Sequence, residues 1–168
     1  LDLASLRSVE KAVGDVAGRV DSLDLLVNNA GIMAVGEGRT EDGFESQFGV
    51  NHLGTFALTG RLLPHLLASA DPRVVTVSSE GQRFARFDLG NLDAERGFRT
   101  AWAYWQSKMA NVYFAVELQL GEGHLHREHA ARTMTRQRLG AAPVGRTLMG
   151  VQVALHRRDQ RVQRRQAR

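Results

Sequence analysis

Residues 23–31 read LDLLVNNAG, and this stretch decides the fold class. Leu25, Leu26 and Val27 form a short apolar run that ends abruptly in two asparagines, an alanine and a glycine. A short apolar run bounded by polar and small residues is typical of a strand buried on both faces, as in a parallel sheet. The stretch therefore predicts a parallel strand with a turn at its carboxyl end.

The segments on either side of this strand alternate between helical and extended patterns. Periodicity and composition predict helices over 3–20, 41–70 and 101–119, and a second, β-branched strand over 73–78. Ser5 is the expected N-cap of the first helix, Pro64 is expected to kink or break the second, and 80–100 is predicted to be a polar loop. This alternation predicts an α/β fold built on a partial Rossmann-type, doubly wound parallel sheet.

Charge and periodicity change near residue 119. Residues 1–118 carry a net charge of −4, whereas residues 119–168 carry +8 and contain 11 arginines but no lysine. The last third also lacks an apolar strand pattern, and Gly121-Glu122-Gly123 is expected to end the preceding helix. We therefore predict a folded domain over 1–119 and an atypical Arg-rich segment over 120–168, disordered or translated from a shifted reading frame.

A Tyr–Lys pair lies in the third predicted helix. Tyr104 and Lys108 are four residues apart, so their side chains share one helix face. A tyrosine with its reference pKa of about 10 is a poor acid–base catalyst at neutral pH, and a neighbouring ammonium favours the phenolate. The pair suits proton transfer at a carbinol oxygen. This spacing also occurs in ordinary helices, where the tyrosine is half-buried and the lysine is solvated.

Other polar residues are predicted to lie at the same edge of the sheet. Ser78-Ser79 ends one strand and Asn28-Asn29-Ala30-Gly31 ends the other. In an open α/β sheet, ligands bind at the carboxyl ends of the strands. Asn51-His52-Leu53-Gly54 places Asn and Gly inside a predicted helix, where both are unfavourable, and such a local conflict is expected near a functional site. Taken singly, these stretches are also consistent with a turn and a tolerated helix defect.

Together, in order and in type, these residues resemble the short-chain dehydrogenase/reductase family, in its retinol dehydrogenase-like and protochlorophyllide reductase-like branch. The resemblance covers about residues 1–119. It assigns catalytic roles to Asn51, Ser79, Tyr104 and Lys108. It assigns cofactor binding to Asp2, Leu3, Asn29, Ala30, Gly31, Tyr104 and Lys108.

The resemblance implies a nicotinamide-dependent oxidoreductase using NAD or NADP. Tyr104 would be the general acid in carbonyl reduction, Ser79 would hydrogen-bond the substrate oxygen, and Lys108 would assist Tyr104 and bind the nicotinamide ribose. Asn51 would hold a water linking Lys108 to solvent. The implied substrate is a small alcohol or carbonyl compound, lipophilic by analogy with the branch. Self-association as a homodimer through the 101–119 helix is a further implication.

Two departures from the family pattern lead us to expect a fragment. No glycine-rich pyrophosphate turn precedes Asp2, and no closing strand follows residue 119. A catalytically inactive remnant is therefore an alternative, and non-specific nucleic-acid binding through the Arg-rich segment is another, without specific recognition. The spacing of His124, His126 and His129 is compatible with a metal site, but a disordered or out-of-frame segment explains the cluster better, and no metal is predicted.

The cysteine content and the hydropathy of the sequence predict where the protein is located. The chain has no cysteine, no basic–apolar leader is visible, and no apolar run approaches the roughly 18 residues that span a bilayer. We expect a cytoplasmic protein.

Overall fold

The structure, a computed structural model, describes residues 1–125, with side chains described through Gln119. Leu1–Ala115 form one compact unit, and Val116–Arg168 form a second, of which only the last part of a helix is described. The helices and strands are, in chain order, α1 Leu6–Ala17, β1 Leu25–Asn28, α2 Ser46–Phe48, a π-helix Gly49–Gly54, α3 Thr55–Leu67, β2 Arg73–Thr76, a 3-10 helix Glu80–Phe84 and α4 Thr100–Leu125. Most of the Arg-rich segment lies outside the described residues, so its predicted state stays a prediction.

The two strands pair in parallel, which confirms the predicted α/β class. Leu25 is in register with Arg73, and Asn28 with Thr76. The ladder continues one residue further, where the Val77 N–H donates to the Asn28 carbonyl at 3.0 Å. The carboxyl ends of both strands therefore lie side by side, as the sequence predicted for the residues that follow them.

Burial of β1 on both faces was predicted, and this is wrong for the described chain. Leu26 packs against the apolar core and Asn28 is buried, but Leu25 and Val27 are 56% and 52% exposed. Side chains alternate across a strand, so Leu26 and Asn28 lie on one face of the sheet and Leu25 and Val27 on the other. Only the face toward the core is covered.

The core joins α1, α3 and the inner face of the sheet. Its buried members are Val9, Ala57, Leu58 and Leu62, and its partly buried members are Leu3, Leu6, Val13, Val16, Leu23 and Leu26. Ser5 caps α1 as predicted, because its hydroxyl accepts from the Ser8 N–H. The helix is shorter than the predicted 3–20.

A single helix over 41–70 was predicted, and the structure divides this segment instead. Glu45 caps α2, and six residues then form a π-helix before α3 begins. A Cβ on Gly54 would clash with the Leu3 carbonyl, and one on Gly49 with the Thr40 side chain. These glycines therefore let neighbouring segments approach the wider π turn. Pro64 lies inside α3 and does not end it.

The later elements differ from prediction at their ends. β2 ends at Thr76, and Ser79 caps the 3-10 helix inside the predicted loop. α4 continues to Leu125, so the prediction that Gly121-Glu122-Gly123 ends it is wrong. A helical glycine costs only about 1 kcal/mol relative to alanine, so the backbone ladder can run through it. Among the described helices, none has the length and hydropathy needed to cross a membrane.

Candidate active site

One face of α4 carries a buried polar stripe. Its members are Tyr104, Ser107, Lys108 and Asn111, spaced i, i+3, i+4 and i+7. The last three are buried, and Tyr104 is partly buried. A buried polar face on a helix is unusual, because such positions normally hold apolar residues. This stripe therefore points to interactions that hydrophobic packing does not supply.

Lys108 is the buried cation of the stripe. It is only 5% exposed, and its Nζ donates to the Val77 carbonyl at 3.4 Å and lies 5.7 Å from the centre of the Tyr104 ring. An ammonium has three donors, and a buried charge is costly unless it is paired. Within the described residues, no carboxylate lies within ion-pair distance of Lys108. Donors of Lys108 therefore remain for a ligand.

Asn51 ties the π-helix to the turn after β1. Its Oδ1 accepts from the Ile32 N–H at 2.7 Å, and its Nδ2 donates to the Ile32 carbonyl at 2.9 Å. The same Nδ2 also donates to the Ser107 hydroxyl at 3.0 Å, and Ser107 donates in turn to the Tyr104 carbonyl at 2.7 Å. One buried amide therefore links three elements around the site.

Gly31 lies where these groups meet. A Cβ built on it would be 2.9 Å from Asn51 Oδ1 and 3.4 Å from Lys108 Nζ. The first distance is below any normal contact, so a side chain would displace the Asn51 amide. The glycine thus leaves its backbone open beside the Lys108 ammonium, which suits close approach of a ligand.

The two serines after β2 have different partners. Ser78 donates to the Lys108 carbonyl at 2.8 Å, which fastens the strand end to α4. The Ser79 oxygen accepts from the Gly81 N–H at 3.3 Å. A Cβ on Gly81 would meet the Trp105 ring at 2.6 Å and Ser79 Oγ at 3.6 Å. Gly81 therefore approaches both Ser79 and Trp105, the residue that follows Tyr104, and the Ser79 hydroxyl proton is used by no described protein group.

The other predicted cofactor residues lie around this centre. Asn29 and Ala30 are exposed immediately after β1. Asp2 is exposed, and its carboxylate accepts from the Ala4 N–H at 2.8 Å. Leu3 contacts Gly54 at the end of the π-helix. The structure thus brings Gly31, Asn51, Tyr104 and Lys108 together, and Leu3 lies at the Gly54 end of the π-helix that also contains Asn51. The binding and catalytic roles of all these residues stay predictions.

Four buried polar residues support the site, although the sequence predicted no individual role for any of them. They are Asn28, His52, Ser107 and Asn111. Asn28 donates to the Thr59 hydroxyl at 2.9 Å, which joins β1 to α3. The i+3 and i+7 spacing of Ser107 and Asn111 from Tyr104 indicates that the three residues share one helix face, so this part of the support could have been predicted. The orientation of His52 was not readable, because it depends on the π turn.

Burial shifts the pKa of two groups near the π-helix. Burial lowers the pKa of His52 to about 4, and a hydrogen bond with Asn111 acts more weakly in the opposite direction. Burial raises the pKa of Glu45, against the effect of the Gln47 and Phe48 N–H groups that bond to its carboxylate. His52 is therefore neutral at physiological pH.

An aromatic pair borders the Ser79 side of the site. The rings of Phe84 and Trp105 lie 5.4 Å apart, and Phe84 is 65% exposed. Phe87, three residues later, instead packs edge-on against Tyr113 at 5.7 Å. The segment is anchored by Phe87, so Phe84 presents an apolar surface to solvent at the end of the 3-10 helix that Ser79 caps. In the described part of the chain, no cluster of three metal-binding side chains is found.

The chain is similar to proteins of one known family. The family model described as short chain dehydrogenase matches residues 1–90. Retinol dehydrogenase 14 of Mus musculus is 45% identical over 118 residues, which cover 70% of this chain and 35% of that protein. The chain thus spans about a third of the length of the curated relatives it matches.

Solved structures show the same fold. An uncharacterized protein from Mycobacterium paratuberculosis is 47% identical, with a TM-score of 0.66 over 74% of this chain and 44% of its own. A short chain dehydrogenase from Escherichia coli CFT073, complexed with NADPH, is 25% identical, with a TM-score of 0.52 over 74% of this chain and 49% of its own. These matches confirm the predicted partial Rossmann-type sheet.

Proposed function

This chain belongs to the short-chain dehydrogenase family, a family of oxidoreductases, and from that premise we propose that its site serves hydride transfer between a nicotinamide cofactor and an alcohol or carbonyl substrate. The observation that carries the proposal is the buried Lys108 ammonium, which lies beside Gly31 and the Tyr104 ring with donors to spare. A buried cation without a carboxylate partner calls for a polar ligand.

The described residues fit the nicotinamide end of such a cofactor. Lys108 would donate to ribose hydroxyls, and the bare backbone at Gly31 would allow the sugar to approach. The cofactor, when bound, supplies or accepts the hydride. The proposed cofactor is NAD or NADP. The Escherichia coli structure complexed with NADPH supports NADP by analogy.

The protein's own part is to move a proton and hold an oxygen atom. In carbonyl reduction, Tyr104 would donate its phenolic proton to the oxygen that becomes the alcohol, and in oxidation it would take that proton back. Ser79 would donate its unused hydroxyl proton to the same oxygen. The Lys108 ammonium, 5.7 Å from the centre of the Tyr104 ring, would be the charged neighbour of this transfer. Asn51 Oδ1 keeps a second lone pair, which suits the water that the family resemblance assigns to it.

We also propose that the substrate is lipophilic. The exposed Phe84 ring and Trp105 form an apolar surface within reach of Ser79 through Gly81. Such a surface favours hydrocarbon over water, by roughly 25 cal/mol for each Å² it covers. The curated relatives are named for retinol, an apolar alcohol, which supports the same class. A cytoplasmic location and a homodimer through α4 remain further proposals.

Substitution of Tyr104 by phenylalanine tests the catalytic assignment. It removes the acid without changing ring packing, so we expect turnover of a lipophilic aldehyde with NADH or NADPH to fall by at least about 100-fold. Cofactor binding should persist. Tyr113→Phe is the matched control, because Tyr113 packs against Phe87 and should leave turnover intact. Equal activity in the two variants would overturn the assignment.

A further inference from the structure

His52 occupies an apolar cluster with one nitrogen unused. Its side chain is fully buried, and its ring lies 5.2 Å from Phe48, 6.1 Å from Phe56 and 6.3 Å from Phe114. Nε2 is buried without a hydrogen-bond partner among the described residues. Leaving such an atom unbonded costs about 1–3 kcal/mol. A phenylalanine would fill the same space without that cost, so packing alone does not explain a histidine here.

The other ring nitrogen has a specific partner. His52 Nδ1 lies 3.1 Å from Asn111 Oδ1. The Asn111 Nδ2 is already used, because it donates to the Val77 carbonyl at 3.3 Å. The amide therefore presents its oxygen to His52, and the neutral imidazole must carry its proton on Nδ1 and donate it. This bond fixes which way the Asn111 amide points.

The orientation of Asn111 matters to Lys108 because they share one acceptor. The Val77 carbonyl receives Asn111 Nδ2 and Lys108 Nζ, and a carbonyl oxygen has two lone pairs. A flipped amide would set its oxygen against the Val77 oxygen. It would also offer the Lys108 ammonium a competing acceptor. In the observed orientation, the Asn111 amide uses one lone pair of the Val77 carbonyl, and the other lone pair accepts from the Lys108 ammonium.

We propose that His52 is a positioning residue for Lys108, acting through Asn111 and the Val77 carbonyl. The inference rests on the proposed function in so far as Lys108 binds the cofactor. The π-helix makes this arrangement available, because its consecutive residues Asn51 and His52 both reach α4, at Ser107 and Asn111. His52 thus makes the fold less stable than a phenylalanine would, and in return it positions the Lys108 ammonium.

A measurement on Lys108 itself tests the proposal without turnover. The chain has two lysines, and Lys11→Arg leaves Lys108 as the only one while keeping the exposed ion pair with Asp15. In that background, [15N]lysine labelling gives one ammonium signal. We expect His52→Phe to speed exchange of its protons roughly tenfold, because the Asn111 amide is no longer held in the orientation that leaves the Val77 carbonyl available to the ammonium. His52→Asn keeps a donor near Nδ1 and should restore slow exchange.

Melting temperature separates this role from simple packing. His52→Phe should unfold at or above the wild-type temperature, whereas His52→Asn should unfold at a lower temperature because it leaves a cavity. The exchange of the Lys108 ammonium protons should nevertheless be fast in the more stable variant, His52→Phe, and slow in the less stable one, His52→Asn. Phe56→Leu perturbs the same cluster without touching Asn111, and should lower the melting temperature while leaving the Lys108 signal unchanged.

Activity gives a second readout. We expect His52→Phe to lower kcat/KM by about tenfold or more, with recovery in His52→Asn. An unchanged Lys108 signal in His52→Phe, or equal loss in both variants, would overturn the proposal. If the wild-type chain shows no turnover, the proposed function fails, while the Lys108 signal still decides the role of His52.

Discussion

The Asn51 amide donates to the Ser107 hydroxyl at 3.0 Å, and this bond joins the π-helix to α4 directly behind Tyr104. The Ser107 hydroxyl donates in turn to the Tyr104 carbonyl. Because Asn51 also holds Ile32 through two bonds, the turn after β1 and the Tyr104 helix share one buried anchor. The site is thus built from elements far apart in sequence.

Removing this anchor should destabilise the fold as well as the site. Asn51→Ala leaves the partly buried Ile32 backbone groups and the buried Ser107 hydroxyl without this partner, so we expect a loss of roughly 2–4 kcal/mol in the free energy of unfolding. Urea denaturation measures it. Asn91→Ala removes an acceptor for the Arg96 N–H in the 80–100 loop, and should cost less than about 1 kcal/mol. Similar losses in both variants would contradict the anchoring role.

Gly31→Ala tests the close approach beside Lys108. The added methyl would lie 2.9 Å from Asn51 Oδ1, so the amide must move and the space beside the ammonium is filled. We expect NADH and NADPH affinity, read by nicotinamide fluorescence, to fall by at least about tenfold. Gly36→Ala is the matched control, because its methyl would meet nothing within 4 Å. Unaltered affinity in Gly31→Ala would remove Gly31 from the proposed binding surface.

Much of this arrangement could be predicted from residue patterns. The strand pair, the N-cap at Ser5 and the clustering of Gly31, Asn51 and Lys108 follow from apolar periodicity and from strand ends meeting at one edge. The conflict predicted inside the 41–70 helix marks the place where the structure has a π-helix. Sequence patterns register such a conflict as unfavourable propensity, but not as a wider turn.

Other features depend on tertiary contacts that local patterns do not encode. The Asn111 orientation depends on His52, and the position of His52 depends on the π turn. The exposure of Leu25 and Val27 could not be predicted, because an apolar strand does not reveal which of its faces is covered. The run of α4 through Gly121 reflects a small propensity cost, which the rest of the helix outweighs.

His52 should make stability depend on pH. Its pKa is lowered to about 4 in the folded chain from 6.5, so the unfolded chain binds an extra proton between these values. The contribution of neutral His52 is complete above pH 6.5 and is lost as pH falls toward 4, by roughly 3 kcal/mol in all. The difference in urea midpoint between His52→Phe and wild type should therefore widen in favour of the variant as pH falls through this range. Parallel curves would contradict a buried, neutral imidazole.

The most direct test of the account is whether the Lys108 ammonium binds a nicotinamide cofactor. Titration of this chain with NADH and with NADPH, followed by nicotinamide fluorescence, should give saturable binding to at least one of them. Lys108→Met keeps an unbranched buried side chain without the charge, and should weaken binding by at least about tenfold. Lys11→Met, at an exposed position on α1, should leave binding unchanged. Equal affinity in Lys108→Met and wild type, or no saturable binding by wild type, would contradict the proposed site.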